Sequence, residues 1–137
     1  MTHSNTRIYL HIVWSTKKRR NILEGDLEVF VHGRLRDAAE ERGLSVLALN
    51  SAWDHTHGLF RWNKNLVISN TVGELKSSAA SGWLARCKKS GEESRLKWQR
   101  GYSSWSVGPG QIGRVVDYIA DQKKLHRGGD ARDDWEA

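Results

Sequence analysis

Hydrophobic residues recur along this 137-residue chain with two different periods, and the order in which those periods alternate narrows its fold more than any other feature. Residues 7–15, RIYLHIVWS, alternate Ile8, Leu10, Ile12 and Trp14 against Tyr9, His11, Val13 and Ser15. That is the two-residue period of a β-strand, rich in β-branched and aromatic side chains. Both faces are apolar, which predicts a central strand. From Asp26, a suitable helix cap, Leu27, Val31, Leu35 and Ala38 or Ala39 follow at helical spacing until Gly43. Residues 44–49 and 55–62 read as two strands joined through the polar stretch 50–54, a hairpin. Thr71 and Glu74 have capping-box spacing, and Val72, Leu75, Ala79, Trp83 and Leu84 carry a second helical stripe toward Cys87. A charged loop over 90–97 leads to a fourth strand at 102–107. Gly108 and Pro109 then open a third helix that runs to about His126, before Gly128 and Gly129 end it.

Strand, helix, strand, strand, helix, strand, helix is the order of an α+β ferredoxin-like (RRM-like) sandwich. Such a fold has an antiparallel four-stranded sheet covered by two packed helices, here with an added C-terminal helix. Residues 1–127 are expected to form a single domain and residues 128–137 a mobile tail. Fold of this kind serves enzymes and RNA-binding modules alike, so function has to come from particular residues.

Charge and cysteine content limit the partners. One cysteine, Cys87, excludes an intramolecular disulfide and a thiolate metal cage. No apolar run reaches the roughly 18 residues of a membrane span, and MTHSNTR lacks the apolar core of a signal peptide, so a cytoplasmic protein is expected. Lys and Arg number 22 against 16 acids, a formal charge of +6, with Lys17, Lys18, Arg19 and Arg20 in one run. A basic body of this sort suits a polyanionic partner.

Two short patterns can carry chemistry. In Asp54-His55-Thr56-His57 the two histidines alternate on a strand, project from one face, and can share a divalent ion. Tyr118 and Gln122 stand four positions apart on the last helix and so share a helical face, with Tyr118 flanking the stripe of Ile112, Val115, Val116 and Ile119. Taken singly, each pattern also occurs in ordinary packing.

Together they stand in a longer resemblance. YLHIVWSTKKRR, DHTHGLF, GELKSSAASGWL, WQRGYSSWSV and VVDYIADQKKLH follow one another over residues 9–126. In that order they resemble the single-tyrosine HUH transposases of the insertion sequence 200/605 type and their REP-associated relatives, HUH standing for His, bulky hydrophobe, His. The resemblance implies that His55, His57 and Gln122 hold Mg²⁺ or Mn²⁺ and that Tyr118 is the nucleophile. It implies cleavage and rejoining of single-stranded DNA with hairpin ends through a 5′-phosphotyrosine, by a homodimer, and leaves open whether the Tyr118 helix completes its own chain's metal site or the partner's. No membrane and no small-molecule cofactor enter this picture. Lys17, Lys18, Arg19, Arg20, Lys76 and Arg100 are the candidate DNA contacts, and Trp14 and Trp105 candidates for base stacking. Two departures lie in the metal strand, Thr56 in place of an apolar residue and Gly58 in place of a bulky aliphatic. Both point away from the histidines, so reduced stability or a compensating large residue such as Trp83 is expected. A relative that holds hairpin nucleic acid without cutting it, and a nickase of the replication-initiator kind, are the competing readings.

Overall fold

The computed structural model describes residues 4–128. Its strands are β1 (Tyr9–Ser15), β2 (Ser45–Ser51), β3 (His55–Arg61) and β4 (Ser103–Ser106), and its helices α1 (Gly25–Glu41), α2 (Ile68–Ser90), α3 (Ile112–Ala120) and α4 (Gln122–Gly128). The strands form one antiparallel sheet in the order β2-β3-β1-β4. This is the α+β arrangement expected from the alternation of periods. β1 is central, buried along its length and paired on both sides, because neither of its faces carries charge.

Alternate residues of the two central strands serve opposite layers. Leu10, Ile12 and Trp14 of β1 join Phe60 and Trp62 in the main core, beneath Val31, Leu35 and Ala38 of α1 and Val72, Leu75 and Ala79 of α2. Each large side chain buried there contributes about 1.5–3 kcal/mol. Trp14 is 1% exposed, with its ring edge-on to Trp98, and is therefore core and not a platform for bases. On the other face a smaller cluster of Leu59, Val115 and Ile119 seats α3.

Three local expectations need correcting. α1 begins at Gly25, with Glu24 at the cap position and Asp26 in the first turn, where its negative charge still favours the helix N-terminus. α2 begins at Ile68, so Thr71 lies inside the helix and is buried; its N–H bonds the Val67 carbonyl, and the predicted capping box is not formed. The C-terminal helix is two helices, broken at Asp121. Asn50 of β2 accounts for the break: its amide donates to the carbonyls of Ile119 (3.0 Å) and Ala120 (2.9 Å), acceptors that the next helical turn would otherwise use. Within the expected tail Gly128 ends α4, and residues 129–137 lie outside the described residues.

The departures at Thr56 and Gly58 are accommodated on the core side. Thr56 is fully buried, and its hydroxyl lies 2.9 Å from the Ser51 hydroxyl, which lies 2.7 Å from His32 Nε2. A buried hydroxyl with a partner carries little penalty. At Gly58 a Cβ would stand 2.5 Å from the Phe60 ring, so Phe60, two residues on along the same strand, occupies the space a larger side chain would take. Trp83, the expected filler, packs instead against Phe30, with ring centroids 5.4 Å apart.

Candidate active site

Odd-numbered residues of β1 and β3 turn away from the main core, and in this layer the polar ones meet. Val13 pairs with His57 and Ser15 with His55, which brings His11, His55 and His57 onto one patch of sheet. All three are buried. His55 Nδ1 lies 2.6 Å from Asp54 Oδ1, and Arg19 Nε lies 3.0 Å from Asp54 Oδ2. An ionised carboxylate only accepts, so Nδ1 of His55 carries the proton, and in the neutral ring Nε2 is the ligand nitrogen. Burial pushes the Asp54 carboxyl upward, but the hydrogen bond from His55 and the charges of His55 and Arg19 outweigh it and hold its pKa below the ordinary value. His57 Nδ1 is 2.8 Å from His11 Nε2, one ring donating to the other.

α3 and α4 cover this patch. Tyr118 places its ring 5.9 Å from that of His57, nearly edge-on. It is only 7% exposed, more enclosed than its flanking position on the helical stripe suggests, because the sheet's histidine face is itself covered. Gln122 is fully buried, donates through Nε2 to the Tyr118 carbonyl (3.1 Å), and holds Oε1 3.2 Å from His126 Nε2. The ring of His126 stands 4.6 Å from that of His55. His55, His57, Tyr118 and Gln122 thus converge within one chain.

Three imidazoles, those of His55, His57 and His126, have ligand nitrogens within 4.8 Å of one another. With metal–nitrogen bonds near 2.1 Å, one divalent ion can span such a set after small side-chain adjustments. The donor chemistry therefore fits a metal, with the Gln122 amide oxygen at its border. His126 and His11 are the residues that sequence reasoning undervalued. For His126 the available signal was its position one turn beyond Gln122. For His11 it was its place on β1, the strand that the ferredoxin-like arrangement sets beside the metal strand, as the β1–β3 pairing bears out.

The basic candidates separate into different environments. Lys17, Lys18 and Arg20 are exposed beyond the end of β1, and Arg100 is exposed beside β4. Arg19 is engaged by Asp54. The Lys76 ammonium donates to the carbonyls of Gln99 (2.8 Å) and Gly101 (2.9 Å), fastening the approach to β4, and burial lowers its pKa. Trp105 lies beside His11 with ring centroids 5.3 Å apart, next to a cavity of about 350 Å³ that Arg114 also lines. No described helix is long and apolar enough to cross a membrane.

Comparison with known proteins bears on the family and the fold. Residues 4–122 match the family model described as Transposase IS200 like, a span that ends at Gln122. The chain is 25% identical over 114 residues to the ISDra2 transposase TnpA of Deinococcus radiodurans, covering 82% of this chain and 81% of that one. It is 26% identical over 135 residues to the transposase for insertion sequence element IS200 of Salmonella typhimurium, covering 95% and 86%. Among solved structures, a candidate transposase from Deinococcus radiodurans superposes with a TM-score of 0.68 at 24% identity, over 89% of this chain and 98% of the other. A REP-associated tyrosine transposase bound to a REP hairpin superposes with a TM-score of 0.62 at 14% identity, over 96% and 76%. The sheet order, the helices packed on it and a family match from residue 4 to residue 122 lead to one assignment: the chain belongs to the IS200-like transposase family, DNA-processing enzymes of DNA transposition.

Proposed function

We propose that the protein cleaves and rejoins single-stranded DNA with hairpin ends, using Tyr118 as the nucleophile at a divalent-metal site of His55, His57 and Gln122, with His126 as an additional ligand. One observation carries the reading: the Tyr118 ring lies against His57, and Gln122 and His126 close the same buried cluster.

Tyr118 Oη attacks the scissile phosphorus, the P–O3′ bond breaks, and the 3′ oxygen leaves as a hydroxyl after taking up a proton. The 5′ phosphate remains on the tyrosine. Attack by another 3′-hydroxyl reverses the step and restores a phosphodiester, so no external energy source is needed. A bound Mg²⁺ or Mn²⁺ would offset the negative charge that builds on the phosphate oxygens. The chain's own residues prepare the setting. Asp54 fixes the tautomer of His55, His11 holds the ring of His57, and Gln122 ties its amide to the Tyr118 carbonyl. Burial of the cluster keeps bulk water from the phosphotyrosine.

Here α3 and α4 lie on the chain's own histidines, an arrangement that supports a site completed in cis. A homodimer is part of the proposal, and mixing two inactive variants, Tyr118→Phe and His57→Ala, tests the cis site: regained cutting shows that this segment is exchanged between subunits, and no regained cutting supports sites built within one chain. The chemistry itself is tested with labelled hairpin oligonucleotides on denaturing gels. Wild type forms a covalent adduct that EDTA suppresses and Tyr118→Phe lacks. An adduct that persists in Tyr118→Phe overturns the nucleophile, and binding without any adduct under Mg²⁺ or Mn²⁺ favours a non-cutting hairpin-binding module.

A further inference from the structure

A second site stands at the same end of the sheet as His55, built where the chain leaves β1. The turn Lys17–Arg19 is followed by Arg20, and opposite it runs the segment that leads from α2 to β4. Lys17 N–H donates to the Lys97 carbonyl (2.8 Å), Gln99 N–H to the Ser15 carbonyl (2.9 Å), and Thr16 pairs with Trp98 as an isolated bridge. The two segments are thus fastened by backbone. Between them lies a cleft of about 180 Å³ lined by Lys17, Lys18, Arg20, Ile22, Arg95 and Lys97. At about 30 Å³ per water, it has room for a phosphate group and several waters.

Among the described residues, five cations and no acid line this cleft. Glu24, Glu92 and Glu93 line a neighbouring cavity that shares Ile22 and Arg95 with this cleft. Like charges gathered in a concave space repel one another and focus a positive field, which a polyanion relieves. The backbone is also strained here: Lys18 and Arg19 hold φ at 59° and 53°, a conformation that costs a side-chain-bearing residue about 1–3 kcal/mol each. The strained turn has a visible result. It sends Arg19 across to Asp54 while Lys17, Lys18 and Arg20 stay on the cleft, and Thr16 Oγ1 braces it by donating to the Arg20 carbonyl (2.8 Å).

We propose that this cleft is a phosphodiester-binding site for the DNA strand, in which Arg95 and Lys97 act together with Lys17, Lys18 and Arg20. This rests on the reading of the chain as a DNA-strand transferase and names a part of its substrate contact outside the reacting cluster. Nucleic acid is the favoured polyanion because Arg19, in the same turn, reaches the Asp54 carboxylate that holds His55. A strand seated in the cleft lies one side-chain relay from the histidines.

The experiment compares wild type with Arg95→Ala/Lys97→Ala on a hairpin-ended oligonucleotide and on an unstructured strand of equal length, over a series of salt concentrations. As a control of equal charge change, Arg61→Ala/Lys64→Ala removes two cations beside a separate cavity at the opposite end of β3. Loss of two phosphate contacts makes the log–log salt slope shallower by roughly 1.4–1.8. That change is expected for the cleft variant and not for the control. A change on both strands assigns the contact to single-stranded phosphate, and a change on the hairpin alone assigns it to the stem. A slope equal to wild type, or equal changes in the two variants, overturns the cleft while leaving the catalytic reading intact. Failure of wild type to bind either strand overturns that reading itself.

Discussion

The two faces of one sheet are built from neighbouring residues and follow opposite rules. Toward α1 and α2, Ile12, Trp14 and Phe60 are buried among apolar side chains. On the other face, beside the small apolar cluster under α3, His11, His55, His57 and Gln122 are just as buried, but with nitrogen and oxygen partners. Burial is equal, and its energetics are not. Apolar burial stabilises with little regard to orientation, whereas a buried polar group costs free energy unless each of its atoms meets a partner at the right angle. The polar face therefore demands geometry, which makes it the place for chemistry. The apolar face supplies the rigidity that holds that geometry.

The largest test of this contrast exchanges one large side chain on each face. Phe60→Ala is expected to destabilise the fold by about 3–5 kcal/mol in denaturant titration, since it also empties the space above Gly58. Adduct formation per folded molecule should survive. His57→Ala is expected to abolish the adduct at a much smaller loss of stability. If both variants lose stability equally and keep equal activity, the division of labour between the faces is wrong.

A smaller effect separates ligands from the groups that orient them. Asp54→Asn keeps the shape but weakens the hold on His55 Nδ1, so Mn²⁺ affinity measured by titration without DNA should fall about 10–100-fold, with melting little changed. Unchanged affinity would show that Asp54 serves Arg19 alone.

The smallest effect belongs to the polar ladder on the core side. His32 lies next to Ser51 with its pKa lowered, chiefly by burial, with Lys123 and Arg36 adding to the shift and Glu28 opposing it. A folded histidine with a lowered pKa binds its proton after the unfolded chain does. Its contribution to stability is therefore complete above the ordinary value of about 6.5, declines as pH falls from there toward the lowered folded value, and then levels off. His32→Gln should flatten that stretch of the stability–pH curve relative to wild type. An unaltered curve would mean that His32 is not held neutral by the fold.

Much of this could be read in the chain before any coordinates. The alternation in RIYLHIVWS, the helical stripes and the His-x-His spacing each depend on residues a few positions apart, whose relation the local backbone period already sets. The order of strands and helices along the chain, the apolar faces of α1 and α2 and the shared face of His55 and His57 follow from such periods. Those same periods are silent about the break at Asp121, because its cause is Asn50, some 70 residues away in sequence. Nor do they join His11 to His57, 46 positions apart, or separate Arg19 from its basic neighbours. Sequence by itself determined which residues face which way. Only the tertiary structure decided which of them meet, since a hydrogen bond between distant residues depends on positions that no local period specifies.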